Sequence, residues 1–282
     1  MARRKEFSPE VRSVVNTLVP MDDDMFQKIC EELDTCQEII STILGEHITV
    51  VEVVPQDSIM NLQGRSVRLD CLCRLDDGTY VNVEVQKSDN DDHQMRVRYH
   101  AALIAANKTP KSTHFKDVAK IIVIYITRFD IFEGGLPIYH VSRMIDELGV
   151  RADNGFSEIY VNTVAKNHDN ELNSNVSDLM ALFTDRETLN PEKFPKFSNR
   201  KNQFINTEKG VFEMCEKVEK AFEQVIRQRE MNNLFGYVQK GGMSVPFAAR
   251  EVNMTPTEFR NQMILNGYTV PVRGRRTAQK EN

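Results

Sequence analysis

The sequence predicts an α/β fold, a mixed β-sheet flanked by helices and followed by an α-helical C-terminal region. Three observations carry this. Short β-branched runs alternate with segments of helical periodicity as far as about residue 165; one segment, "RLDCLCRLDDGTYVNVEVQKSD" (68–89), reads as a β-hairpin; and beyond residue 170 the β-branched runs stop.

The elements follow in order. Residues 21–45 place Phe26, Ile29, Leu33, Ile39, Ile40, Ile43 and Leu44 at helical spacing, with aspartates at the opening and Gly45 as a stop, which gives one long helix or a broken pair. "ITVVEVVP" (48–55) is a strand, the hairpin comes next, and 90–106 is a helix introduced by Asp91 and Asp92. "VAKIIVIYIT" (118–127) has the continuous apolar character of a strand covered on both faces. A helix at about 141–149 and a strand at 157–164 complete the alternation. With two prolines and no periodicity, 190–202 reads as a loop or hinge, and 207–240 as a long charged helix. The expected organisation is an N-terminal extension (1–20), an α/β core (21–165), a helical extension and linker (166–228), a two-helix segment (229–270) and a disordered basic tail (271–282).

The chain has 282 residues, 40% hydrophobic and 27% charged, with a net charge of −5, so any nucleic-acid partner has to be argued from local features. No run of about 18 apolar residues occurs and no apolar segment follows the basic N-terminus, from which we expect no membrane partner and a cytoplasmic location. The five cysteines, Cys30, Cys36, Cys71, Cys73 and Cys215, lack CxxC spacing and indicate neither a disulfide framework nor a zinc site.

The hairpin carries carboxylates inside its strands. A two-residue turn at Asp77 and Gly78 would put Asp70 and Glu84 on opposite faces, whereas "DDG" suits a three-residue loop with Gly78 in the left-handed conformation. In that register Asp70 faces Glu84. Val67, Leu69, Cys71, Cys73 and Leu75 then share an apolar face with Val81, Val83 and Val85, while Arg68, Asp70, Leu72 and Arg74 share the other with Tyr80, Asn82, Glu84 and Gln86. Two like charges directly opposed repel, so either a divalent cation lies between them or Arg68 and Arg74 neutralise them.

These residues resemble a known family. "RLDCLCRLDDGTYVNVEVQKSD…QMRVRYHAAL" is similar to the Rpn, or recombination-promoting nuclease, branch of the PD-(D/E)XK nucleases, the PD-(D/E)XK nuclease family transposases. The family's Asp, E-x-Q and R-x-x-Y fall on Asp70, on Glu84 and Gln86, and on Arg96 and Tyr99, over a resemblance that runs from about residue 20 to 165 and more weakly to 230. It implies a restriction-endonuclease-like core and a metal-dependent DNA endonuclease tied to recombination or transposition. Mg²⁺, with Mn²⁺ as a substitute, would sit on Asp70, Glu84 and the Val85 carbonyl; Gln86, Arg96 and the supporting Tyr99 would act beside it. Gln86 stands where the wider superfamily has Lys. Lys87 is on the wrong strand face to replace it, and Arg96 is the candidate for the missing charge, its alternative being an i,i+4 pair with Asp92. Asp22, Asp23 and Asp24 either add an acid or cap a helix, and His93 and His100 read as surface or packing residues.

In "SVPFAAREVNMTPTEFRNQMIL" the offsets of Ala249, Asn253 and Phe259 resemble a helix-turn-helix. Arg250, Thr255, Thr257, Arg260 and Asn261 are its candidate DNA contacts, in a region (243–282) with six Lys or Arg against three Asp or Glu. A packing or homodimer role is the plain alternative.

Overall fold

The computed structural model describes residues 5–55, 57–60, 66–165 and 169–271. Past Pro271 the expected basic tail lies outside them. The chain forms two compact units, Met1–Val218 and Glu219–Asn282. Among the described residues no helix is long and apolar enough to cross a membrane.

The first unit opens with α1 (Pro9–Val15), α2 (Asp23–Ile29) and α3 (Leu33–Leu44), so residues 21–45 are the broken pair, ended by Gly45 at φ +72°. Strands β1 (Val50–Pro55), β2 (Ser58–Met60), β3 (Ser66–Arg68), β4 (Cys71–Leu75) and β5 (Tyr80–Gln86) precede α4 (His93–Lys108). Then come β6 (Ile121–Thr127), β7 (Ile138–Val141), β8 (Arg143–Ile145), β9 (Val150–Ala152), β10 (Phe156–Asn162), α5 (Glu171–Thr184), α6 (Pro195–Asn206) and α7 (Glu208–Gln239).

Six strands form one sheet in the order β1-β4-β5-β6-β10-β7. Its β5–β6 and β6–β10 pairs are parallel and the rest antiparallel, so the sheet is mixed. Parallel neighbours need a crossover, and α4 supplies the one between β5 and β6. Each sheet face is covered. Val81, Val83, Cys71 and Cys73 pack with Phe26, Ile40, Leu179 and Phe183 on one side, while Leu72, Val123 and Tyr125 pack with Val97 and Ile104 of α4 on the other.

The hairpin has the three-residue loop. Leu75 N–H donates to Thr79 O at 2.8 Å, Gly78 is at φ +87°, and the ladder pairs Cys71 with Val83 and Cys73 with Val81. Continued one step, that register sets Asp70 opposite Glu84. The face assignment is corrected before Asp70: Leu69 and Val67 join the α4-side cluster, because β3 and β4 are separate strands and the alternation restarts between them.

Two expectations are overturned. The segment at 141–149 forms the β8–β9 hairpin, closed by Gly149 at φ +63°, and its Met144, Ile145 and Leu148 are exposed, so no apolar helix stripe finds a core. The expected loop at 190–202 becomes α6 from Pro195 onward. Proline is preorganised for a first helical position, and Phe197 and Phe204 are buried. Lys201 is buried too, its ammonium donating to the carbonyls of Leu182 (2.8 Å), Asp185 (2.5 Å) and Thr188 (2.7 Å), which reads in sequence as a surface charge.

In the second unit the end of α7 packs with α8 (Val245–Glu251) and α9 (Pro256–Leu265) around Phe235, Ala249 and Phe259. Asn253 turns the chain between α8 and α9 at φ +54°, a conformation that Asn tolerates better than most residues.

Candidate active site

β4 stops at Cys71, one residue short of the position opposite Glu84, which frees Asp70 from the ladder. The Val85 N–H, left without a strand partner, donates to Asp70 Oδ2 at 3.0 Å. N–H and C=O of one strand residue point to the same edge, so the Val85 carbonyl is directed to the side where Asp70 lies. Glu84 is only 6% exposed; its Oε1 accepts from Asn82 Nδ2 at 2.8 Å and stands 3.2 Å from His100 Nδ1, off hydrogen-bond alignment.

These groups open into a cleft of about 870 Å³ lined by Asp23, Arg68, Asp70, Glu84, Gln86 and Arg96, with Tyr99 and His100 on the same wall. Burial and the facing Glu84 push the Asp70 carboxyl well above the usual range, against the opposing pull of the Val85 N–H. Burial raises Asp23 as well, helped by the neighbouring Asp24 charge. The donor set suits a hard divalent cation, with two carboxylates, one carbonyl and an open cleft for water and phosphate. Such an ion would also relieve the repulsion that the fold enforces. Arg74 does not relieve it, because its Nε donates to Glu52 at 3.0 Å; Arg68 is exposed near the cleft and lowers Asp70 only weakly.

Gln86 is fixed at both ends. Its Oε1 accepts from Arg96 Nη1 at 2.8 Å and its Nε2 donates to Ser88 O at 2.7 Å. Arg96 therefore reaches the central strands β5 and β6, where Tyr125 also interacts with it. His93 is buried between Tyr125 Oη (3.1 Å) and Asp89 Oδ1 (2.9 Å), so it anchors this network from behind as the packing residue expected of it. Lys87 leaves the cleft and pairs with Asp22, which makes no side-chain cap bond although it sits at the N-cap of α2; Oδ2 of that aspartate accepts from Val19 N–H at 3.0 Å.

The sequence reading named His100 and Asn82 but gave neither a part in the site. Their signals were present: His100 is four residues past Arg96 on one helix face, and Asn82 shares the strand face of Glu84. The DNA-contact candidates of the second unit, Arg250, Thr255, Thr257, Arg260 and Asn261, are all exposed. Thr255 also builds a capping box with Glu258, so its hydroxyl serves the start of α9.

The sheet order, the crossover helix and the acids of the hairpin together make the architecture that of a PD-(D/E)XK fold, a nuclease or transposase class of protein. Residues 25–232 match the PD-(D/E)XK nuclease family transposases, and the chain belongs to that family. No curated protein and no solved structure matches it. The match ends before α8, so the family says nothing of the last two helices.

Proposed function

We propose that the chain is a Mg²⁺-dependent DNA endonuclease, with Mn²⁺ as a substitute ion, that hydrolyses phosphodiester bonds in recombination or transposition. The observation that carries this reading is the facing pair of half-buried Asp70 and buried Glu84, brought into register by the hairpin and both lining the cleft. Together with the Val85 carbonyl they hold the ion, which on binding lowers the pKa of a water and neutralises charge on the scissile phosphate. Asn82 fixes the Glu84 carboxylate, and the Val85 N–H fixes that of Asp70. Arg96 supplies positive charge at the phosphate side of the cleft, and Gln86 holds its guanidinium in place. Tyr99 supports the same wall. Arg250, Thr257, Arg260 and Asn261 contact DNA, with Thr255 in a capping role.

A plasmid-nicking assay tests the proposal. Wild-type protein should nick with Mg²⁺ or Mn²⁺ and stay silent in chelator, while Glu84→Gln should be inactive with a metal-free thermal stability level with or above that of wild type. The doubly bonded Gln86, which lacks the charge of the usual Lys, favours a second reading, a weakened relative that binds DNA or a regulatory partner. DNA binding without metal-dependent nicking in the wild-type chain would select it.

A further inference from the structure

A second donor cluster lies behind the acid pair, on the opposite face of the hairpin. The Sγ atoms of Cys30, Cys36 and Cys71 are all within 4.8 Å of one another. Cys36 and Cys71 are 3.8 Å apart; Cys73 Sγ stands 3.7 Å from Cys71 but outside that mutually close trio, so its side chain has to swing inward to become a fourth ligand. All four side chains are at most 2% exposed. They come from three elements: Cys30 caps the C-terminal end of α2, Cys36 lies in the opening turns of α3, and Cys71 and Cys73 project from β4 two residues apart.

Four of the chain's five cysteines thus converge, although their spacing, C-x₅-C followed much later by C-x-C, contains no metal-binding signature. The folded distances are informative. A zinc ion holding thiolates tetrahedrally at about 2.3 Å requires sulfurs about 3.8 Å apart, close to the two separations found here. Cysteine also packs as a small apolar side chain, so it is the convergence of sulfurs from three elements at these separations, and not their burial, that points to a ligand. Oxygen ligands are missing from the cluster, which selects a soft borderline cation over Mg²⁺ or Ca²⁺.

We propose that Cys30, Cys36, Cys71 and Cys73 bind a structural zinc ion that ties the α2–α3 elbow to β4. Each thiol gives its proton to solvent as the Zn–S bond forms, leaving a four-thiolate centre of charge 2−, near the opening of α3 whose positive dipole end favours thiolate. The ion is taken up as the chain folds, since the cluster is closed to solvent. It is structural rather than hydrolytic, because four sulfur ligands leave no open position for water. Its place immediately after Asp70 makes it a clamp on the strand that sets that acid.

The test is metal analysis of the full-length chain, expressed with zinc and purified under reducing conditions without chelator. One zinc per chain is expected, with the same content in Cys215→Ser, outside the cluster, and in Glu84→Gln, which separates this site from the hydrolytic one. Zinc should be lost in Cys36→Ser. Because that variant can fail to fold, wild-type protein refolded with Co²⁺ supplies a second measurement, and the intense absorption of tetrahedral cobalt thiolate is expected. A wild-type chain with no bound zinc and five titratable thiols after unfolding would overturn the proposal in favour of plain packing. Metal-free protein with three titratable thiols would overturn it in favour of a disulfide.

Discussion

Asp70→Asn should make the metal-free protein more stable, and the size of the effect follows from the hairpin. In the wild type two carboxylates face each other across antiparallel strands, at a separation of about 5 Å. With an effective dielectric of about 20, fitting a site open to solvent on one side, their repulsion is about 3 kcal/mol. The asparagine oxygen can still accept from Val85 N–H, though without the charge, at a loss of about 1 kcal/mol. The net gain of about 2 kcal/mol corresponds to about 4–8 °C in Tm for a unit of this size. The sign with pH follows from the raised Asp70 carboxyl. Below the unfolded value of about 3.9 the group is protonated in both states and carries no penalty. As pH climbs past that value the folded state pays an increasing cost, complete once pH exceeds the raised folded value. The advantage of the variant should therefore be smallest at acid pH and grow as pH rises through the raised folded value. Thermal unfolding in EDTA across this range measures it, and Mg²⁺ should raise Tm in the wild type but not in Asp70→Asn. A variant that melts lower than wild type at pH 8 in EDTA would refute the reasoning, since Asp70 would then be a structural acceptor and no partner in repulsion.

Other outcomes follow from the same geometry. Gln86→Lys places an ammonium against Arg96 where an acceptor stood, and we expect at least a tenfold loss of nicking; unchanged activity would show that the Gln86–Arg96 bond is dispensable. Asn82→Ala should raise the Mg²⁺ concentration for half-maximal nicking by about 10–100-fold, while activity at saturating Mg²⁺ largely returns. If the second unit holds DNA, Arg250→Ala with Arg260→Ala should lower the slope of log K against log salt by about 0.9 per residue; an unchanged slope would assign α8 and α9 to packing or dimerisation.

Much of this was legible in the sequence because strand alternation and turn chemistry are local. "DDG" and the segregated faces were enough to put Asp70 opposite Glu84, and the continuous apolar run at 121–127 marked a strand covered on both sides. The misreadings have long-range causes. The parity of Val67 and Leu69 failed because the strand breaks just before Asp70, which no residue spacing announces. Lys201 and Phe197 read as loop because carbonyls from α5 and the segment after it, together with a distant core, complete their environment. The place of His100 beside Glu84 was not foreseen because the two lie on different elements. The thiol cluster is invisible for the same reason, being assembled from segments some forty residues apart.

The turn at 76–78 has Asp76 and Asp77 exposed and lies at the far end of β4 and β5 from Asp70 and Glu84, yet it governs their register through counting alone. Gain or loss of a single residue there would exchange inner and outer positions along β5, sending Glu84 into the apolar layer and a valine into the cleft. Among related chains this loop should therefore drift in composition, keeping Gly or Asn where φ is positive, while its length stays invariant. Length variation there would take Asp70 and Glu84 out of register.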